Sequence, residues 1–275
     1  VAYGEDSRVE VENSTNSNYV KWGKAVAARI SKTRLVSSGD SFSFHQKTLK
    51  EQMFLCNDQK FQDQYAPADC SGFLVAPNLL VTAGHCVAPS VLGNEMTCES
   101  GSWVFDYNNS EVKTGLIKKS NVYGCKKIVN HSLDPLKGTD YALIELDRPV
   151  EGVEPLKFRT EGSIELGSPL AIIGAPSGLP LKVADGAMAL AKAKTRPIFI
   201  ANLDSFGGNS GSPVFNTVSG EVEGILVRGA KDYVVNRADM CLEVNQCGNF
   251  PSVNGGCYGE TVTNITAVNI NNFVK

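Results

Sequence analysis

Short apolar runs closed off by Gly, Pro, Asn and Ser dominate this chain, and their length and punctuation predict strands rather than long helices. Ser71–Ala76 and Leu79–Ala83, separated by Pro77-Asn78, read as a hairpin. Trp103–Tyr107, Lys127–Val129 and Tyr141–Leu146 continue the pattern up to Asp147–Pro155, where loop residues take over. Beyond that junction come Pro169–Ile173, a run from Lys182, Ile198–Ala201, Ser212–Phe215 and Glu221–Val227. Two groups of strands predict an all-β protein of two barrels, the first over residues 1–155 and the second over 156–275. Two helices break the pattern. Thr48-Leu-Lys-Glu51 has the form of a capping box, with Leu49 and Met53 on one face, inside an insertion at about 31–69. Val262, Ile265 and Val268 predict a short C-terminal helix over Val262 to Phe273 packed on the second barrel. Residues 1 to about 30, with Asn13-Ser-Thr-Asn-Ser17 between apolar stretches, read as an edge strand and loop.

Composition narrows the class. With 275 residues, 42% hydrophobic and 20% charged, the chain is long enough to bury one large core or two smaller ones. A net charge of -3 and a pI near 5.7 provide no basic field for a phosphate backbone, so no nucleic-acid partner is expected. Eight cysteines without a Cys-x-x-Cys pair point to disulfides and to an oxidising compartment, secreted or periplasmic, with zinc as the competing use. No apolar run reaches the roughly 18 residues of a membrane span. No signal-peptide core opens the chain, and a start at Val1 leads us to expect that an upstream targeting segment has been removed.

The candidate chemistry centres on Asp204-Ser-Phe-Gly-Gly-Asn-Ser-Gly-Ser-Pro-Val-Phe215, where Ser210 lies between glycines ahead of an apolar strand. A serine hydroxyl becomes a nucleophile when an imidazole takes its proton, a carboxylate orients that imidazole and backbone N–H groups receive the oxyanion. The histidines are His45, His85 and His131, and His85 follows an apolar run in Leu79-Leu-Val-Thr-Ala-Gly-His-Cys86. Asp140 opens the apolar segment Asp140-Tyr-Ala-Leu-Ile-Glu-Leu146. Taken singly, a Gly-rich Asn-Ser segment is a turn, a histidine beside a cysteine is a packed side chain or a metal ligand, and an aspartate before a strand is a turn residue.

Thr82-Ala-Gly-His-Cys86 together with Gly207-Gly-Asn-Ser-Gly-Ser-Pro213 resembles the trypsin-like (chymotrypsin-fold) serine peptidases, and the opening residues resemble the bacterial branch that includes the glutamyl endopeptidases. The resemblance covers most of the chain and is weakest before Cys70 and from Lys231 to Tyr258. It implies six-stranded antiparallel barrels with the active site in the cleft between them. It also implies His85, Asp140 and Ser210 as base, orienting carboxylate and nucleophile, and the amides of Gly208 and Ser210 as the oxyanion hole. A disulfide between Cys70 and Cys86 is implied in the same way; it would close about 17 residues, worth about 3 kcal/mol by loop entropy. For the other six cysteines 15 pairings are open; proximity in the chain suggests Cys56 with Cys98 and Cys247 with Cys257. One departure from the animal enzymes is Asn209, which stands where an aspartate pairs with a newly cut N-terminus.

For specificity the resemblance places Asp204, Ser205, Leu226, Val227, Arg228 and Gly229 along the pocket for the P1 side chain. Asp204, six residues before the nucleophile, implies a preference for Arg or Lys. Acidic P1, with Arg228 or Val1 as partner, and small or apolar P1 are the alternatives; the glutamyl branch reads glutamate with a histidine, and Leu226 stands at that place. The expected partners are a polypeptide substrate and a protein protease inhibitor, with a monomeric chain and neither cofactor nor metal. Two other classes compete. An inactive homologue acting as a binding module would have lost part of the triad, and a serine esterase would carry its nucleophile in a Gly-x-Ser-x-Gly elbow, which Gly208–Ser212 is not.

Overall fold

The structure, a computed structural model, describes residues 1–88, 96–252 and 256–274. Twelve strands form two closed barrels. The first comprises β1 (Val26–Ser31), β2 (Cys70–Ala76), β3 (Leu79–Thr82), β4 (Gly101–Val104), β5 (Val122–Asp134) and β6 (Thr139–Leu146). They pair antiparallel in the order β5-β6-β3-β2-β1-β4, with β4 returning to β5. The second comprises β7 (Pro169–Gly174), β8 (Lys182–Lys192), β9 (Ile198–Ala201), β10 (Pro213–Asn216), β11 (Val222–Arg228) and β12 (Glu260–Asn264), in the order β7-β10-β11-β12-β9-β8, closed by β7 against β8. Strand β2 is buried along its whole length, which is why its sequence is a continuous apolar run rather than an alternating one. One core cluster runs from the first barrel to Ala171, Ile173, Phe215 and Ile225, so the two barrels share packed side chains at their junction. A second cluster, with Leu170, Phe199, Val214 and Val262, fills the second barrel.

The first residues of the chain attach to the second half. Ala2–Tyr3 pairs with Gln246–Cys247, and Val9–Glu10 extends the second barrel beside β8. Where the sequence suggested a strand and loop, Ser17–Gly23 is helical, started by Asn16, whose side chain accepts from the Asn18 amide. Trp22 of this helix stacks on Phe215 at 4.6 Å.

The insertion is more than a loop. Leu35–Ser38 and Ser41–Phe44 form a hairpin joined by Leu116–Lys118. Thr48 and Glu51 cap Leu49–Met53 reciprocally, as the sequence predicts. Leu49 and Leu55 then pack with Leu179, Phe206 and Tyr233 in a satellite core that touches the segment leading to Ser210.

The short C-terminal helix consists of two 3₁₀ turns, Ile265–Val268 and Ile270–Asn272, and begins later than Val262, which lies in β12 with a fully buried side chain. All eight cysteines are paired: Cys70–Cys86, Cys247–Cys257, Cys98–Cys125 and Cys56–Cys241. The expected pairing of Cys56 with Cys98 is therefore wrong. Cys98 lies near β4, whose neighbour β5 carries Cys125, whereas the insertion carries Cys56 to the hairpin Tyr233–Asn236/Cys241–Val244. Among the described residues no helix is long and apolar enough to cross a membrane.

Candidate active site

His85 sits in a 3₁₀ turn, Gly84–Cys86, immediately after β3, and Asp140 is the second residue of β6, the strand hydrogen-bonded to β3. Pairing of these two strands is what brings together residues 55 positions apart. Asp140 holds His85 twice: Oδ2 lies 2.7 Å from Nδ1, and Oδ1 accepts the backbone N–H at 3.1 Å. Asp140 is buried, while the histidine side chain keeps 29% of its surface open. Glycine is required at position 84 because a Cβ would press on Asp140 Oδ1 and on the carbonyls of Ser132 and Tyr141.

Ser210 lies in the turn before β10. Its carbonyl accepts from the Ser71 amide of β2 at 2.8 Å and lies 3.7 Å from Sγ of Cys86, so the segments carrying His85 and Ser210 run side by side. Gly211, at φ +90°, lets the chain pass β2 and β3, since a Cβ would collide with the Ser71 carbonyl and Thr82 Oγ1. Gly208, at φ +93°, passes equally close to the carbonyl of Ala175. Among the described residues the amides of Gly208 and Ser210 meet no acceptor. Asn209 is buried, and its side-chain oxygen has no partner among the described residues; instead Asp232 reaches this loop, accepting the Gly207 amide at 2.7 Å.

Beside Ser210 is a recess lined in part by Ser205, Leu226, Arg228, Gly229, Asp232 and Glu260. Asp204 and Val227 do not line it. Asp204 is buried facing the N-terminal segment, where Oδ1 accepts the Tyr3 amide at 2.6 Å and Oδ2 accepts the amide and hydroxyl of Ser7 at 2.8 and 2.7 Å. Burial raises its pKa above the ordinary aspartate value, against the pull of those three donors. The Val1 nitrogen is buried too, donating to the Ser205 carbonyl at 2.7 Å and to Asp232 at 3.2 Å. Glu260 is buried under Gly229, bonded to Ser205 Oγ and the Ala230 amide, and burial pushes its pKa up to about 7. Arg228 is exposed and has no ion-pair partner among the described residues. Of the groups sequence reasoning missed, Ser71 adjoins the flagged Cys70, whereas Asp232 and Glu260 carry no local signal.

Cys70, His85 and Cys86 bring their ligand atoms within 4.8 Å of one another, but the two sulfurs are bonded to each other and offer no thiolate.

Residues 70–225 match the trypsin-like peptidase domain. An extracellular metalloprotease of Bacillus subtilis (strain 168) is 30% identical over 175 residues, 58% of this chain and 50% of the relative, so the chain spans about half the length of that curated relative. Among solved structures, a Glu endopeptidase in complex with MPD aligns over 98% of this chain and 96% of its own, at 16% identity and a TM-score of 0.56. The VesB protease of Vibrio cholerae aligns over 98% of this chain and 66% of its own, at 14% identity and a TM-score of 0.55. Human heparin binding protein aligns over 98% and 93%, at 12% identity and a TM-score of 0.57. At these identities the structural likenesses establish the fold and nothing finer.

Proposed function

The chain belongs to the trypsin-like peptidase family, and from that premise we propose that it is a serine endopeptidase acting through an acyl-enzyme. Ser210 attacks the scissile carbonyl, and His85 takes its proton and returns it to the leaving amine. Asp140 orients the imidazole, and the amides of Gly208 and Ser210 receive the oxyanion. The observation that carries this reading is the double hold of Asp140 on His85, 2.7 Å at Nδ1 and 3.1 Å at the backbone. A carboxylate on Nδ1 fixes the tautomer in which Nε2 is the basic nitrogen. The acceptor-free amides beside Ser210 support the oxyanion role. Four disulfides favour a secreted or periplasmic enzyme. A polypeptide is its substrate and a protein inhibitor a natural partner, and the chain acts as a monomer.

At P1, the Arg or Lys preference rested on Asp204, whose oxygens are occupied by Tyr3 and Ser7. The acidic alternative is favoured by Arg228, an exposed cation at the recess with no ion-pair partner among the described residues, the carboxylates of Asp232 and Glu260 beside it being bonded to Val1, Gly207, Ser205 and Ala230. A guanidinium in such a position binds a carboxylate bidentately.

Two measurements test the proposal. Wild type should be labelled at Ser210 by a fluorophosphonate and should cleave a denatured protein, with Ser210→Ala at least about 10³-fold slower and EDTA without effect. Absence of labelling would leave an inactive homologue, labelling without peptide cleavage an esterase, and loss on chelation restored by zinc a metalloenzyme. Mass-spectrometric reading of a peptide-library digest then settles P1. Cleavage after Glu that Arg228→Ala reduces about tenfold or more is expected, and cleavage after Arg or Lys would restore the first reading.

A further inference from the structure

The segment Gly207-Gly208 is tied down at three points by three distant segments, one tie falling on the peptide that links the two residues. Asp232 accepts the Gly207 amide at 2.7 Å, the Ser177 amide donates to the Gly207 carbonyl at 2.5 Å, and Ser71 Oγ donates to the Gly208 carbonyl at 2.8 Å. The second tie sets a direction. In a trans peptide the C=O and the following N–H point opposite ways, so a Gly207 carbonyl turned toward Ser177 turns the Gly208 amide away from it. That amide is left without an acceptor among the described residues, in a loop whose residues Gly207 and Ser210 both line the recess.

Ser177 does this from an unusual backbone. At φ 55° and ψ 21° it is left-handed within the turn Pro176–Gly178, a conformation that residues with a Cβ adopt only when their surroundings enforce it. One such contact is side-chain to side-chain: Ser177 Oγ and the Tyr233 hydroxyl are 2.6 Å apart. Tyr233 is itself fixed, 5% exposed, tilted against the ring of Phe206 at 5.7 Å and packed in the satellite core with Leu49 and Leu179. Its hydroxyl stays protonated and able to donate, because burial raises its pKa.

We propose that Ser177 and Tyr233 are positioning residues for the oxyanion hole: Tyr233 holds Ser177 in its left-handed turn, Ser177 holds the Gly207 carbonyl, and the Gly208 amide is thereby kept aimed at the developing oxyanion. This rests on the serine peptidase reading above. It assigns work to a hydroxyl far from Ser210 in sequence and separates stabilisation of the transition state from binding of the peptide.

Two variants preserve folding while cutting the tie. Tyr233→Phe keeps the ring packing and removes the oxygen; Ser177→Gly accepts φ 55° without strain, keeps the amide and removes Oγ. Each should lower kcat about tenfold, part of the loss seen when an oxyanion donor is deleted, with KM changed by less than about twofold. Inhibition by a peptide boronate, whose tetrahedral adduct places an oxygen on the same donors, should weaken in proportion. Affinity for a non-covalent product peptide and the melting temperature should stay at wild-type level. The double variant should be no worse than the worse single one, because both cut one chain of contacts. Wild-type kcat and boronate affinity in both variants would overturn the proposal, as would a loss of product-peptide affinity equal to the loss in kcat. A wild type that no peptide boronate inhibits and no fluorophosphonate labels would instead overturn the serine peptidase reading, and this inference with it.

Discussion

His85 and Ser210 are held in place by very different amounts of chain. Among the described residues the histidine is fixed chiefly by neighbours between residues 70 and 146: a strand pair, a disulfide to Cys70, and Asp140, with Thr263 Oγ1 on the Asp140 carbonyl as a long-range addition. The serine loop is braced by Tyr3, Ser7, Ser71, Ser177, Asp232 and Glu260, drawn from nearly the full length of the protein. The first arrangement fails at a single chemical contact. The second is over-determined, so removing one brace there acts on stability or aim before it acts on chemistry.

That contrast can be broken in three ways. The largest effect is expected from Asp140→Asn, which keeps the shape but favours the wrong tautomer: kcat should fall about 10⁴-fold with little change in KM or melting temperature. A loss of fold comparable to the loss of rate would show the histidine side to be as structurally entangled as the other. Next comes Asp204→Asn, which leaves the donors of Tyr3 and Ser7 poorly matched. The denaturant midpoint should report a loss of about 2 to 3 kcal/mol, while the ratios of kcat/KM across Arg, Glu, Leu and Ala substrates stay fixed. A selective loss on Arg substrates would return Asp204 to the pocket. The third effect, of comparable size, concerns Glu260. Its folded pKa of about 7 lies above the ordinary glutamate value of 4.5, so the folded state keeps a proton that the unfolded state releases. Stability should be full below about pH 4.5, fall as pH rises to about 7 by on the order of 3 kcal/mol, and level off above. Glu260→Gln should flatten that profile in chemical denaturation run at stepped pH.

The same contrast explains what could be read from the sequence. His85 and Asp140 stood out because their surroundings are local: an apolar run ends at one and begins at the other, and adjacent strands do the rest. Ser210 was marked by its glycines, which steric crowding at Gly208 and Gly211 explains. The company of Asp204 was invisible, since Tyr3 and Ser7 lie some two hundred residues away. Nothing in the spacing of Cys56 marked Cys241, because the insertion that joins them folds against a hairpin whose place is set by tertiary packing. The terminal helix was misjudged at its start for a sharper reason. Val262, Ile265 and Val268 recur every three residues, the period of a 3₁₀ turn, and the first of them satisfies the alternation of a strand equally well.

The bridge from Cys56 to Cys241 has one more consequence, for how this molecule survives its own kind. It closes a covalent ring, 185 positions around, that takes in ten of the twelve barrel strands together with His85, Asp140 and Ser210. A single cut anywhere inside that ring, for instance at the exposed Leu136 turn, leaves the two pieces joined. Such a nicked molecule would run as one band on a gel until a reductant is added and as two afterwards.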